Sequence, residues 1–130
     1  MRPELYRETR TRSPNHVQTD GGEPSLDTVF QILSNRRRRF VLYFLTEIDD
    51  PVGREELARR IATWERDEDI GDVPSDEIAR VTVSLDHAHL PRLEDGGVVS
   101  YDREEREIAA TDAVDRFLPY LDLARSEDFD

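Results

Sequence analysis

The chain has 130 residues, of which 36% are apolar, enough for one domain around one modest core. Its formal net charge of −12 comes from 30 acidic and 18 basic residues, and every one of those basic residues is an arginine. The absence of cysteine excludes a disulfide frame, a thiolate nucleophile and a zinc–thiolate site, and this acidity excludes non-specific nucleic-acid binding by the surface as a whole.

Arginine is more weakly hydrated than lysine and pairs bidentately with carboxylates. All-arginine basicity beneath an acidic coat suits a chain kept soluble in very salty cytoplasm, where charges are screened within about 3 Å. A halophilic archaeal source is expected, although a GC-rich genome alone also favours arginine. The opening MRPELYRETR carries charges in place of an apolar leader core, and no apolar run of about 18 residues occurs. A cytoplasmic protein without membrane contact is expected.

Residues 1–24 mix Pro, Gly, Asn and charges without periodicity and predict a disordered arm. Order begins at SLDTVFQILS, where Ser25 can cap a short helix with Leu26, Val29, Phe30 and Leu33 on one face. A second helix starts at Ser34 or Asn35, with Phe40, Val41, Phe44, Leu45 and Ile48 inward. The quartet Arg36 to Arg39 then sweeps about 300° around the axis and forms a collar, not a patch. Arg36 and Arg37 are expected to lay their stems on the core edge, with Arg38 and Arg39 outward and open to a phosphate or an acidic partner. Cations in a first helical turn oppose the helix dipole, so either nearby carboxylates or an anionic partner must compensate.

After the turn DDPVG, residues 54–64 predict a helix with Leu57, Ala58, Ile61, Ala62 and Trp64 on one stripe. The acidic loop 65–72 follows, and then SDEIARVTVSLDHAH predicts a helix over 75–89 with Ile78, Val81, Leu85 and Ala88 inward. Asp76, Arg80, Val83, Asp86 and His87 should lie on its opposite side. Pro91 should disturb the end of this helix and EDGG should stop it. Residues 98–110 change period and predict a hairpin with Val99, Tyr101, Ile108 and Ala110 on the buried face. Thr111 or Asp112 caps a last helix carrying Val114, Phe117, Leu118 and Leu121, kinked or restarted at Pro119, with a frayed tail over 125–130. The fold class expected is mainly α with a small β-hairpin, in one domain over 25–124.

His87 and His89 point about 200° apart on a helix and share no metal face. His89 should instead sit at the core margin, bonded to a carboxylate or carbonyl. No glycine-rich phosphate loop, nucleophile elbow or pocketed acid pair occurs, so no enzymatic activity, cofactor or metal is expected.

After the short first helix, the order of three main helices, a hairpin and a closing helix is that of a winged helix-turn-helix. LSNRRRRFVLYFL resembles the second helix of ArsR-type winged-helix regulators, GREELARRIA resembles the helix after it, and VSLDHAHLPRLEDGGVVSYD resembles their recognition helix and first wing strand. The combination of LSNRRRR, HLPRL and GVVSYD is similar to that of a haloarchaeal winged-helix domain family of unknown function, over residues 25 to about 120. The resemblance implies a DNA-binding transcriptional regulator acting on double-stranded DNA as a homodimer, with the helix of residues 75–89 in the major groove. Arg80 would then fork onto guanine, Val83 would meet a thymine methyl, Ser84 would touch bases or phosphate, His87 would donate to phosphate, and Arg103 and Arg106 at the wing tip would reach backbone or minor groove. Arg38 and Arg39 are further candidates. Leu26, Phe30, Phe117, Leu118 and Leu121 are the candidate dimer contacts, unless they close over their own domain. The carboxylates of the loop 65–72, with Asp76 and Asp86, oppose phosphate. They favour the alternative of a winged-helix adaptor that binds a protein partner without reading DNA.

Overall fold

A computed structural model describes residues 23–67 and 69–129. Helix α1 (Leu26–Leu33) begins at Ser25, whose hydroxyl accepts from the Thr28 amide. Helix α2 (Arg36–Thr46) begins at Asn35, whose side-chain carbonyl accepts from the amides of Arg37 and Arg38. A two-residue strand β1 (Val52–Gly53) leads into α3 (Arg54–Arg66), and a 3₁₀ turn (Ile70–Asp72) leads into α4 (Ser75–Ser84). A π-helical turn (Leu85–His89) joins α4 to α5 (Leu90–Asp95), after which come β2 (Val99–Asp102), β3 (Glu107–Ala110) and α6 (Val114–Asp128). The architecture is α+β, mainly helical with a three-stranded antiparallel sheet in the order β1-β3-β2.

Helix α2 is the centre of the core. It contacts α1, α3, α6 and β3 and buries Val41, Leu42, Tyr43 and Leu45, which cover most of its circumference. That burial overturns the expected one-sided stripe: Leu42 and Tyr43 are inside, while Phe40, Phe44 and Ile48 are only partly buried. Helix α1 is rotated from its expected face as well. Val29, Ile32 and Leu33 are buried, whereas Leu26 and Phe30 are 43% and 49% exposed.

The predicted hairpin forms with Val99 opposite Ala110 and Tyr101 opposite Ile108. Strand β1 pairs with β3 through Val52 and Ile108, an addition to the expected two strands. Two residues carry no readable period, and only the partner strand makes them a strand. The helix stop at EDGG is a Schellman turn: the Val98 amide bonds to the Leu93 carbonyl, the Gly97 amide bonds to the Glu94 carbonyl, and Gly97 takes φ 77°.

Pro91 does not end the helix. Its ring would collide with the carbonyl four residues earlier, and the turn before it widens, the Leu90 amide bonding to the Leu85 carbonyl five residues back. The extra residue rotates the remainder of the helix, so Ala88 is exposed where a core position was expected, and His89 and Leu90 are buried. Helix α6 runs through Pro119 to Asp128. The tail expected to fray at 125 is therefore helical. Phe117 and Leu121 are fully buried in their own domain, each worth about 1.5–3 kcal/mol of transfer free energy, and are removed from the candidate dimer contacts.

Candidate nucleic-acid interface

Helix α4 and the π turn hold Asp76, Ala79, Arg80, Val83 and His87 at spacings of three and four residues, and all five are exposed on one stripe. Arg80, Val83 and His87 are thus brought together as expected. Ser84 is not among them: it is half-buried and accepts from Arg37 Nη1 at 2.9 Å. Asp86 also leaves the stripe, because the Arg54 guanidinium bonds its Oδ2 at 2.8 Å. Arg54 Nε and Asp86 Oδ1 are buried without a partner. Arg54 was not singled out in the sequence; its position at a helix start gave no signal that it would meet a residue 32 positions on.

The orientation of the arginine quartet is the reverse of the expectation. Arg38 is only 8% exposed, its Nε and Nη2 donating to the Ile32 and Gln31 carbonyls at 2.9 Å each. Its Nη1 lies 3.4 Å from His89 Nδ1, so the partner of His89 is a guanidinium where a carboxylate or carbonyl was expected. Burial, then the Arg38 charge, then that of Arg37 push the His89 pKa down to about 4. The ring is neutral, with Nδ1 as acceptor. Arg39 forks onto Asp128 at 2.8 and 2.9 Å and donates to the Leu33 carbonyl. Neither Arg38 nor Arg39 is open to DNA. The reason is that α2 is buried on the side that its apolar period left free. Arg37 pairs with Glu65 through two nitrogens, which neutralises a carboxylate expected in the acidic loop but held in the last turn of α3, since that helix runs on to Arg66.

At the hairpin tip, Arg103 forks onto Glu94 at 2.8 and 3.0 Å and lies over the Tyr101 ring. Arg106 takes φ 58°, and its carbonyl accepts from the Arg54 amide at 2.8 Å. The hairpin tip is therefore tied to the start of α3, and through Arg54 to Asp86 beside the exposed stripe. Among the described residues the side chain of Arg106 has no charged partner. Arg80 is held by Glu77 at 2.7 Å and Asp76 at 3.6 Å while remaining largely exposed. Exposed pairs of this kind contribute about 0–1 kcal/mol, so little opposes their exchange for another acceptor.

Asp128, expected in a frayed tail, is a buried carboxylate at the end of α6. Its side chain is 4% exposed and accepts from Arg39 and, at 2.6 Å, from the Tyr43 hydroxyl. The Arg39 hydrogen bond holds the carboxyl below its ordinary 3.8, while burial, ahead of the Asp128 contact, raises the Tyr43 phenol to about 12. A depressed carboxylate pKa gives stability that is present above about pH 4 and lost as pH falls through the folded value. Asp128→Asn should lower stability by about 2 kcal/mol at pH 7, with the gap to the native chain closing in acid. Urea melts at both pH values check it.

Residues 30–109 match a family described as a domain of unknown function, DUF7344. The chain belongs to the DUF7344 family. The matched span reaches from the second half of α1 into β3 and contains α4, the π turn and the hairpin tip. No curated protein matches this DUF7344 chain, and no solved structure matches it. Among the described residues no cluster of His, Asp or Glu has a metal-binding arrangement, and no helix is long and apolar enough to cross a membrane.

Proposed function

We propose that this DUF7344 protein is a winged helix-turn-helix transcriptional regulator of a halophilic archaeon that binds double-stranded DNA. The observation that carries the reading is the exposed stripe of Arg80, Val83 and His87 on a helix flanked by a hairpin with Arg103 and Arg106 at its tip. The element order, with β1 closing the wing sheet, supports the same arrangement. In this reading the helix of residues 75–89 enters the major groove, and its guanidinium, methyl and imidazole groups suit guanine, thymine and phosphate in turn. Arg103 exchanges the Glu94 carboxylate for phosphate, and Arg106 reaches phosphate without a carboxylate to give up. Selection from fragmented haloarchaeal DNA in molar potassium chloride tests it: enrichment of a motif bound well above a scrambled control supports the reading, and no enrichment at any salt that keeps the chain folded defeats it.

The active form is a homodimer in this reading. Leu26 and Phe30 on α1, 43% and 49% exposed, with Tyr120 edge-on to Phe30 at 5.3 Å and Leu123, 74% exposed, on α6, supply the apolar groups for it. In molar salt the native chain should run at twice the monomer mass by light scattering. Phe30→Asp with Leu123→Asp should run as the monomer, and a native monomer at tens of micromolar removes the dimer.

A second reading, the protein-interaction adaptor, is favoured by the carboxylates that hold Arg80 and Arg103. A face carrying both signs suits a protein surface as well as a phosphate backbone.

A further inference from the structure

The arginine collar already holds an acidic ligand, and that ligand is part of the chain itself. Arg36, Arg39, Phe40 and Tyr43 on α2, with Trp64 on α3, form a receptor into which Asp128 and Phe129 dock. The carboxylate meets Arg39, Tyr43 and, at 3.8 Å, Arg36. The phenyl ring lies 5.2 Å from Tyr43, 5.6 Å from Trp64 and 6.4 Å from Phe40. Phe40 stacks on Trp64 at 4.5 Å and the Arg36 guanidinium lies over the indole, so the walls are in place before the occupant is counted.

The occupant is lightly tethered. After Leu121, residues 122–127 contain no fully buried side chain; Ala124 and Arg125 are half-buried, and Arg125 lies over the Tyr43 ring and 3.3 Å from Glu47. Phe129 stays 48% exposed. Local opening of this segment gives up the Asp128 and Phe129 contacts while Phe117 and Leu121 stay in the core, and the receptor it leaves would hold two guanidinium groups that lose their carboxylate, beside a half-exposed aromatic wall. Such a site selects a carboxylate followed by an aromatic ring.

We propose that this receptor is a docking site for a partner protein bearing a short acidic segment in which an Asp is followed by an aromatic residue, with Asp128 and Phe129 as its intramolecular competitor. The tether gives that competitor an effective concentration of about millimolar, so the partner binds when the segment is released. The receptor is linked to the candidate DNA face: Arg37, next to Arg36, bonds Ser84 of α4. The proposal gives the adaptor reading a surface and a partner chemistry, and it stands or falls without DNA.

The test uses the full chain carrying Asp128→Asn and Phe129→Ala, which empties the receptor and leaves Phe117 and Leu121 in the core. The probe is a fluorescent peptide Ser-Glu-Asp-Phe-Asp, titrated in molar potassium chloride against Ser-Glu-Asn-Ala-Asp, with emission from Trp64, the one tryptophan of the chain, as a second readout. The emptied chain should bind the probe at least tenfold more tightly than the control peptide and tenfold more tightly than the native chain does, with a change in Trp64 emission. Adding Arg39→Gln should abolish that binding. Equal binding of both peptides, or none by an emptied chain that still melts cooperatively, overturns the proposal. Loss of folding in the emptied chain also overturns it, because the segment would then be a structural part and not a displaceable occupant.

Discussion

Acidification from pH 7 to pH 4 should remove about 3 kcal/mol of stability through His89 alone. The imidazole is 8% exposed, lies against the Arg38 guanidinium, and has its pKa lowered from 6.5 to about 4. A lowered histidine pKa means that the unfolded chain takes the proton first. The stability is full above about pH 6.5 and drains as pH falls toward the folded value. Arg38 and Arg37 reinforce the shift and Arg92 adds to it, while Glu65 opposes it. Salt weakens it little, because the group is buried and the Arg38 charge is in near contact. Urea melts across pH 4 to 7 in fixed molar salt measure the slope. His89→Gln keeps an acceptor for Arg38 and cannot ionise, so it should flatten that part of the profile. An unchanged slope in that variant would place the acid sensitivity elsewhere, with Asp128 the next group to examine.

The second large effect concerns DNA. Arg80→Ala should cost about 1–3 kcal/mol of affinity for the selected motif, roughly ten- to a hundredfold, and relax preference at one base pair. Arg103→Ala and Arg106→Ala should weaken all sequences alike and each reduce the salt slope by about 1. All three side chains are exposed, so stability should move by no more than about 0.5 kcal/mol. Affinity lost without a change in melting therefore reports the interface. Arg38→Ala differs in kind, because it leaves the Ile32 and Gln31 carbonyls without their donors, and any loss of binding would follow loss of fold. A triple variant of Arg80, Arg103 and Arg106 that binds the motif as well as the native chain would transfer the function to the adaptor reading.

The elements were legible where local chemistry forms them. Ser25 and Asn35 cap their helices because a side-chain oxygen reaches amides two or three residues on. The hairpin register follows from alternation, and the stop at Gly97 follows from its positive φ. The stripe of Arg80, Val83 and His87 follows from helical spacing on a helix with only one apolar side.

What misled was burial on more than one side. Helix α2 is wrapped by α1, α3 and α6, so period alone could not tell which arginines go inside. Arg38 and Arg39 are internal because carbonyls at the end of α1 and a carboxylate 89 residues away are there to receive them. The exposure of Ala88 depends on a widened turn that relieves Pro91, an effect outside any fixed period.

By itself the sequence determined the acidic, arginine-only surface, the caps at Ser25 and Asn35, the stop at Gly97, the hairpin and the exposed face of α4, since each depends on composition or on near neighbours in the chain. The tertiary structure alone decided the third strand, the inward turn of Arg38 and Arg39, the neutral state of His89 and the docking of Asp128 and Phe129. Each of these is a pairing between residues distant in the chain, and its energy exists only once folding has brought both partners out of water.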